Sequence, residues 1–125
     1  MDVTPLVPGD RQLIESYGEG KFRISGQVHQ GSVLVFPREC VAWPVATMAE
    51  VTANTLAPVV ARRGDVAILL LGCGRRMAPV PGALRAALRE AGIVVDTMDT
   101  GAACRTYNIL MSEDRRVAAA LLAVE

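Results

Sequence analysis

The chain has 125 residues, 51% of them hydrophobic and only 4% aromatic, which suits one domain, residues 1–125, with a core of Val, Leu, Ile, Ala and Met. Thirteen basic residues balance thirteen acidic ones, which leaves no net field to attract the nucleic-acid backbone or an anionic membrane surface. No apolar run, "VAILLL" included, is long enough to cross a bilayer, so the composition speaks against nucleic acid as a partner and against membrane insertion.

The opening "MDVTPLVPGD" starts with an acid and holds two prolines, so residues 1–11 read as an irregular lead-in rather than a signal peptide or presequence. Cys40, Cys73 and Cys104 are widely spaced, without a CxxC, and His29 is the one histidine. This pattern predicts no metal site and reduced thiols in the cytoplasm.

Residues 12 to 36 carry strand signals. "QLIESYG", "KFRIS" and "SVLVFP" are short β-prone runs separated by "GEG" and "GQVHQG", which read as reversals in a small antiparallel meander. Phe22 and Ile24 alternate with Lys21, Arg23 and Ser25, as in a strand with one face buried and one wet. "CVAWP" follows, its strand ended by Pro44, and Trp43 serves either as a plug over the core or as an anchor for a partner.

"TANTLAPVVARRGD" predicts a short helix capped by Thr52 or Asn54, with Pro58 in its first turn and Gly64 as stop. "DVAILLLG" has no alternation and reads as a central strand covered on both faces. "PGALRAALREAG" predicts a helix with Ala83, Leu84, Ala87, Leu88 and Ala91 on its inner face, and "IVVDTM" a further strand, together a strand–helix–strand crossover. Thr100 then caps a helix that breaks near Ser112. "EDRRVAAALLAV" predicts a last helix, apolar almost all round, that is buried or covered by a second protein or another copy of this chain.

Two stretches hold the candidate site residues. "GCGRRM", with Gly72, Cys73, Gly74, Arg75 and Arg76, follows a buried strand, where a glycine-rich turn can offer backbone N–H groups to an anion. The third glycine of a dinucleotide fingerprint is missing, and Pro79 and Pro81 remove donors, so no nucleotide cofactor is expected. In "TGAACRTYN", Thr100, Cys104, Arg105 and Asn108 put a thiol, a guanidinium and an amide near a helix start, where the dipole and Arg105 favour a thiolate. The same residues equally serve as a fastening, with Arg105 and Asn108 satisfying strand-end carbonyls and Cys104 packed as a small hydrophobe. A catalytic cysteine also needs a base, and His29 sits in an apparent hairpin connection that nothing places near Cys104.

The pieces "YGEGKFRISG", "GSVLVFP", Trp43, "LLLGCG", Pro81, "GIVVDTMDTGAACRTYNIL" and "EDRRVAAALL", in this order from about Ile14 to the C-terminus, resemble a small domain family of unknown function. Its members include mitochondrial complex I assembly factor 3 and the adipogenesis-associated Mth domain protein. The chain departs from the family at Cys73, where a threonine or similar small residue is usual. The resemblance implies a three-layer α/β domain: a central mixed sheet flanked by helices, with a small N-terminal antiparallel β-layer. It supplies no reaction, cofactor or catalytic residue, and its mitochondrial member acts through protein contacts. The expectation is therefore a non-enzymatic interaction protein, one that assists assembly of a respiratory or other membrane complex, with protein partners or copies of itself. The alternative is a small-anion or thiol-based ligand site in a cleft between residues 72–77 and 100–108.

Overall fold

The computed structural model describes residues 11–125, so of the expected lead-in only Arg11 falls within it. The N-terminal meander is a three-stranded antiparallel sheet, β1 (Ile14–Gly18), β2 (Lys21–Ile24) and β3 (Gln27–Gln30). Both hairpins turn on two residues of positive φ, Glu19 and Gly20, then Ser25 and Gly26. That is the mirror-image turn whose twist matches the flanking strands. "GQVHQG" is therefore not a connection: His29 lies on β3, opposite Phe22. Phe22 and Ile24 are buried and Arg23 is exposed, so the alternation in β2 sets which face meets the rest of the protein.

Five further strands form the central sheet, β4 (Val33–Val35), β5 (Cys40–Ala42), β6 (Ile68–Gly72), β7 (Val94–Met98) and β8 (Val117–Leu121), in the order β5-β4-β8-β6-β7. β4 pairs antiparallel with β5 and β8, whereas β6 runs parallel to both β7 and β8, so the sheet is mixed. Three helices flank it, α1 (Ala57–Ala61), α2 (Gly82–Glu90) and α3 (Thr100–Ser112).

One face of the sheet packs Leu69, Leu71, Ala118 and Ala120 against Leu56, Val59, Leu84 and Leu88 of the α1 and α2 regions. The other packs Leu70, Ala119 and Leu121 against Ala103, Tyr107 and Met111 of α3 and against Phe22 and Ile24 of the small sheet. The architecture is thus α/β in three layers, with the small antiparallel sheet sharing a layer with α3.

The expected last helix is a strand. Residues 117–121 form β8, buried along its whole length between β4 and β6. A strand covered on both faces is apolar all round, as a buried helix is, and its alanines carry the helix propensity that misleads. Two other elements differ from expectation. Residues 52–55 form a turn closed by reciprocal bonds between Thr52 and Thr55, so α1 starts later, with Leu56 rather than Thr52 or Asn54 at its N-cap. In α2 only Leu84 and Leu88 are buried, while Ala83 and Ala87 are exposed, because this helix covers the edge strand β7 and needs only a narrow stripe.

Candidate functional site

The glycine turn and the start of α3 meet at the C-terminal end of β6. The Thr100 hydroxyl, fully buried, donates to Leu122 O at 2.8 Å and accepts from Gly74 N at 2.9 Å, and Thr100 N donates to Gly74 O at 2.8 Å. Leu122 N in turn donates to Gly72 O at 3.0 Å. One side chain therefore ties together the ends of β6 and β8 and the first turn of α3. Gly72 is required for this approach: a Cβ there would lie 3.0 Å from Leu121 Cδ2 and 3.1 Å from Thr100 Cα. In open α/β sheets the crevice beyond the carboxyl ends of the strands is the usual ligand position. Here, the protein's own threonine hydroxyl and backbone meet in it.

The helix start has its own anion. Asp99, not Thr100, is the N-cap, and its carboxylate accepts from Ala102 N at 2.9 Å while its carbonyl accepts from Ala103 N at 3.0 Å. An aspartate at this position satisfies orphan amides and complements the positive end of the helix dipole. Tyr17 packs across the same turn, so closely that a Cβ at Gly101 would overlap its hydroxyl. Neither Asp99 nor Tyr17 stood out in the sequence. An Asx residue whose carboxylate can accept from the main-chain N–H three residues on is a visible signal, but Tyr17 comes from a distant hairpin.

The candidate residues do not share one cleft: those of the glycine turn and Thr100 meet at the end of the sheet, and Cys104, Arg105 and Asn108 lie further along α3. Gly72, Gly74 and Thr100 come together as described, and Arg75 reaches Glu125 O at 3.3 Å, while Arg76 is exposed. Cys73 belongs to the α1/α2 face, with Sγ 3.5 Å from Leu71 O and 3.6 Å from Ala78 O. Cys104 belongs to the α3 face. Together with Arg105 and Asn108 it lines a shallow pocket of 320 Å³ that is closed by Ile14, Glu15, Ser16 and Tyr17 of β1, not by residues 72–77.

Within that second group each polar residue behaves differently. Asn108 bonds the Ile14 backbone twice, Nδ2 donating to O at 2.8 Å and Oδ1 accepting from N at 3.0 Å. The Tyr107 hydroxyl donates to Phe36 O at 3.2 Å from full burial, and that burial pushes its pKa up. Cys104 is only 3% exposed, and burial raises its thiol to about 12. Arg105 lowers the thiol and Asp99 raises it, but desolvation is the larger effect, so the thiolate expected at the helix start is disfavoured. Arg105 itself is exposed, beside Asn108 on the pocket wall. Among the described residues no group of three His, Cys, Asp or Glu side chains is placed to hold a metal ion.

Residues 14–122 match the family described as "Protein of unknown function (DUF498/DUF598)". The chain belongs to this family. Relatives of this DUF498/DUF598 chain include an uncharacterized protein of Rhodobacter capsulatus, 39% identical over 109 residues that span 87% of this chain and 82% of the relative. Another is NADH dehydrogenase [ubiquinone] 1 alpha subcomplex assembly factor 3 of Danio rerio, 32% identical over 88% of this chain. The match covers 63% of that assembly factor, so the chain spans less than two thirds of its length. A crystal structure described as that of an outer membrane protein from Bartonella henselae superimposes with a TM-score of 0.87 at 38% identity, covering 94% of this chain and 98% of that one. The solution structure of a Rhodopseudomonas palustris protein gives 0.80 at 38% identity, covering 99% and 93%. No helix among the described residues of this family member is long and apolar enough to cross a membrane.

Proposed function

We propose that this DUF498/DUF598 protein is a non-enzymatic interaction protein that assists assembly of a respiratory or other membrane complex from the cytoplasmic side. The observation that carries this reading is the inward use of the polar cluster: the Thr100 hydroxyl and Asn108 amide are bonded to backbone and the Cys104 thiol is buried and neutral. Such groups stabilise a shape rather than perform chemistry. A relative named as an assembly factor for NADH dehydrogenase supports the assembly role.

The surface available to a partner lies outside this fastening. Tyr17 and Val28 on the small sheet and Ile109 on α3 are 43%, 55% and 57% exposed, and Arg105 lies one helical turn from Ile109 and lines the same pocket as Tyr17. An aromatic, two aliphatics and an arginine are residue types that anchor protein interfaces. The test is recovery of the protein at native expression level under mild crosslinking, followed by identification of what accompanies it. Subunits of a membrane complex are expected, with an assembly defect on deletion. Recovery of the protein alone, with no defect, would end this reading.

A further inference from the structure

Among the described residues the two sheets leave four strand edges, β1 and β3 on the small sheet and β5 and β7 on the central one. An open edge presents unpaired N–H and C=O groups to any passing strand, and proteins obstruct it with a charge, a bulge, a covering group or sheer shortness. Three of the edges carry such a device. β1 is irregular between Ile14 and Ser16 and has Asn108 on both Ile14 backbone groups. β7 contains Asp96 and has Arg85 on its Val95 carbonyl. β5 has three residues, and its Cys40 thiol is bonded to Gln12.

β3 has no such device. Gln27, Val28, His29 and Gln30 include no proline and no acid, lysine or arginine, and they pair with β2 without a shift in register. The phase of this ladder is fixed by the bond from Gly31 N to Gly20 O at 2.8 Å, one step beyond the Lys21–Gln30 pair. Bonded and non-bonded pairs alternate in an antiparallel ladder, so Gln27 and His29 direct their backbone groups at β2, and Val28 and Gln30 direct theirs outward. No described residue bonds these outward groups. The Val28 side chain, on the solvent face opposite Arg23, is 55% exposed.

We infer that the β3 edge is a self-association surface, on which a second copy of this chain lays its own β3 antiparallel across a two-fold axis at His29. The outward groups are their own complement: Val28 falls opposite Gln30 of the copy and Gln30 opposite its Val28, so each pair exchanges two bonds and every outward group is used. Val28 then lies diagonal to its counterpart on the same open face, within side-chain reach. Self-pairing sets a strand against its own charges, and like charges directly opposite oppose it. β3 has no such charge to repeat, whereas the same operation about the middle of β7 would set Asp96 against Asp96. An unrelated strand would find the backbone bonds but no side-chain charge to select it, which favours the second copy. Four bonds exchanged against water over so short a strand bury far less than a permanent interface, so the association is reversible and depends on concentration. This pairing goes beyond the assembly reading and shares Val28 alone with the surface proposed there, so either can fail without the other.

The test is sedimentation of the full chain from micromolar to millimolar concentration, with backbone amide resonances followed over the same series. The mass should rise toward that of a dimer, and the shifts should centre on residues 27–30. Two double variants at these exposed positions, Val28→Lys with Gln30→Lys and Val28→Glu with Gln30→Glu, should each weaken the association at least tenfold, because like charges then face each other twice. An equimolar mixture of the two should recover it, because lysine then faces glutamate, and that recovery also shows that both variants fold. A monomer at every concentration, shifts centred on β7 or on Tyr17 and Ile109, or double variants that associate like the unaltered chain would each overturn the pairing. If the chain is monomeric, crosslinks from residues 27–30 to a different polypeptide at native expression level would give this edge to a partner's strand instead.

Discussion

Asn108, in the third turn of α3, bonds both the N–H and the carbonyl of Ile14 and so completes the free backbone edge of β1. The register of β1 against β2 is irregular just after Ile14, which is where a strand edge is most in need of an outside partner. A primary amide presents an N–H donor and a carbonyl acceptor side by side in the spacing of a backbone unit, which no other side chain but glutamine offers. The small sheet and α3 are thus held in register by a residue that mimics a strand.

Removing that amide should cost stability in a specific order. Asn108→Ala strands both Ile14 groups and is expected to lower the unfolding free energy by about 1 to 3 kcal/mol. Asn108→Asp keeps an acceptor for the Ile14 N–H but sets a carboxylate oxygen against the Ile14 carbonyl in place of the donor, so a larger loss than in Asn108→Ala is expected at neutral pH. Urea unfolding of the three proteins reads this order, and equal midpoints would contradict it.

The Thr100 junction should tolerate even less change. Thr100→Val retains the shape but leaves Leu122 O and Gly74 N unbonded, at about 1 to 3 kcal/mol, whereas Thr100→Ser keeps both bonds. At Gly72 an alanine Cβ would press on Thr100 Cα, a backbone atom that moves only if α3 moves, with an expected loss again of about 1 to 3 kcal/mol. Thermal melts of Thr100→Val, Thr100→Ser and Gly72→Ala should rank the serine variant highest.

The buried thiols give a dependence on alkaline pH. Cys104 is raised from 9.0 to about 12 and Cys40, also chiefly by burial, from 9.0 to about 11. Above the ordinary value the unfolded chain has released protons that the folded chain still holds, so their contribution is fully present below pH 9 and is lost as pH rises through the folded values. Stability should therefore fall between pH 9 and pH 12, and less steeply in Cys104→Ala. At neutral pH this rise leaves far less Cys104 thiolate than an ordinary cysteine has. Iodoacetamide should label Cys104 only at the rate at which the protein opens, and fast labelling in the native protein would contradict the burial.

β7 is an edge strand of the central sheet, and Arg85 of α2 donates to its Val95 carbonyl at 2.9 Å. A charged side chain on an edge carbonyl obstructs pairing with another chain. Val94, on the same strand, is 63% exposed, so the edge has apolar surface to offer once that guard is gone. Arg85→Ala is expected to increase self-association, measured by sedimentation at increasing protein concentration, and an unchanged monomer–oligomer balance would show that Arg85 does not protect this edge.

Much of this arrangement was legible because local chemistry and tertiary role agree. The glycines after Glu19 and Ser25 mark the hairpins, the unalternating "AILLLG" marks β6 as central, and Leu84 and Leu88 mark the inner stripe of α2. Where they disagree, the sequence misleads. "VAAALLAV" carries no period, since both faces of β8 are buried, and only its shortness separates it from a helix. "GQVHQG" has polar residues on a strand whose faces are mostly exposed, so β3 offers no hydrophobic alternation to read. At the candidate site the residue types in "TGAACRTYN" are compatible with either reactivity or fastening, and the choice depends on β1, some ninety residues away in sequence. Arg105 shows the limit of the fastening idea: its neighbours bond the backbone, and it faces solvent.

The central claim is that the α3 cluster spends its polar groups on holding the small sheet, and native-state hydrogen exchange at the Ile14 amide tests it most directly. That amide should exchange slowly in the unaltered protein and, in Asn108→Ala, become nearly as fast as an exposed strand edge while the β6 and β8 amides stay protected. Fast exchange at Ile14 with Asn108 in place, or no change on its removal, would contradict the account.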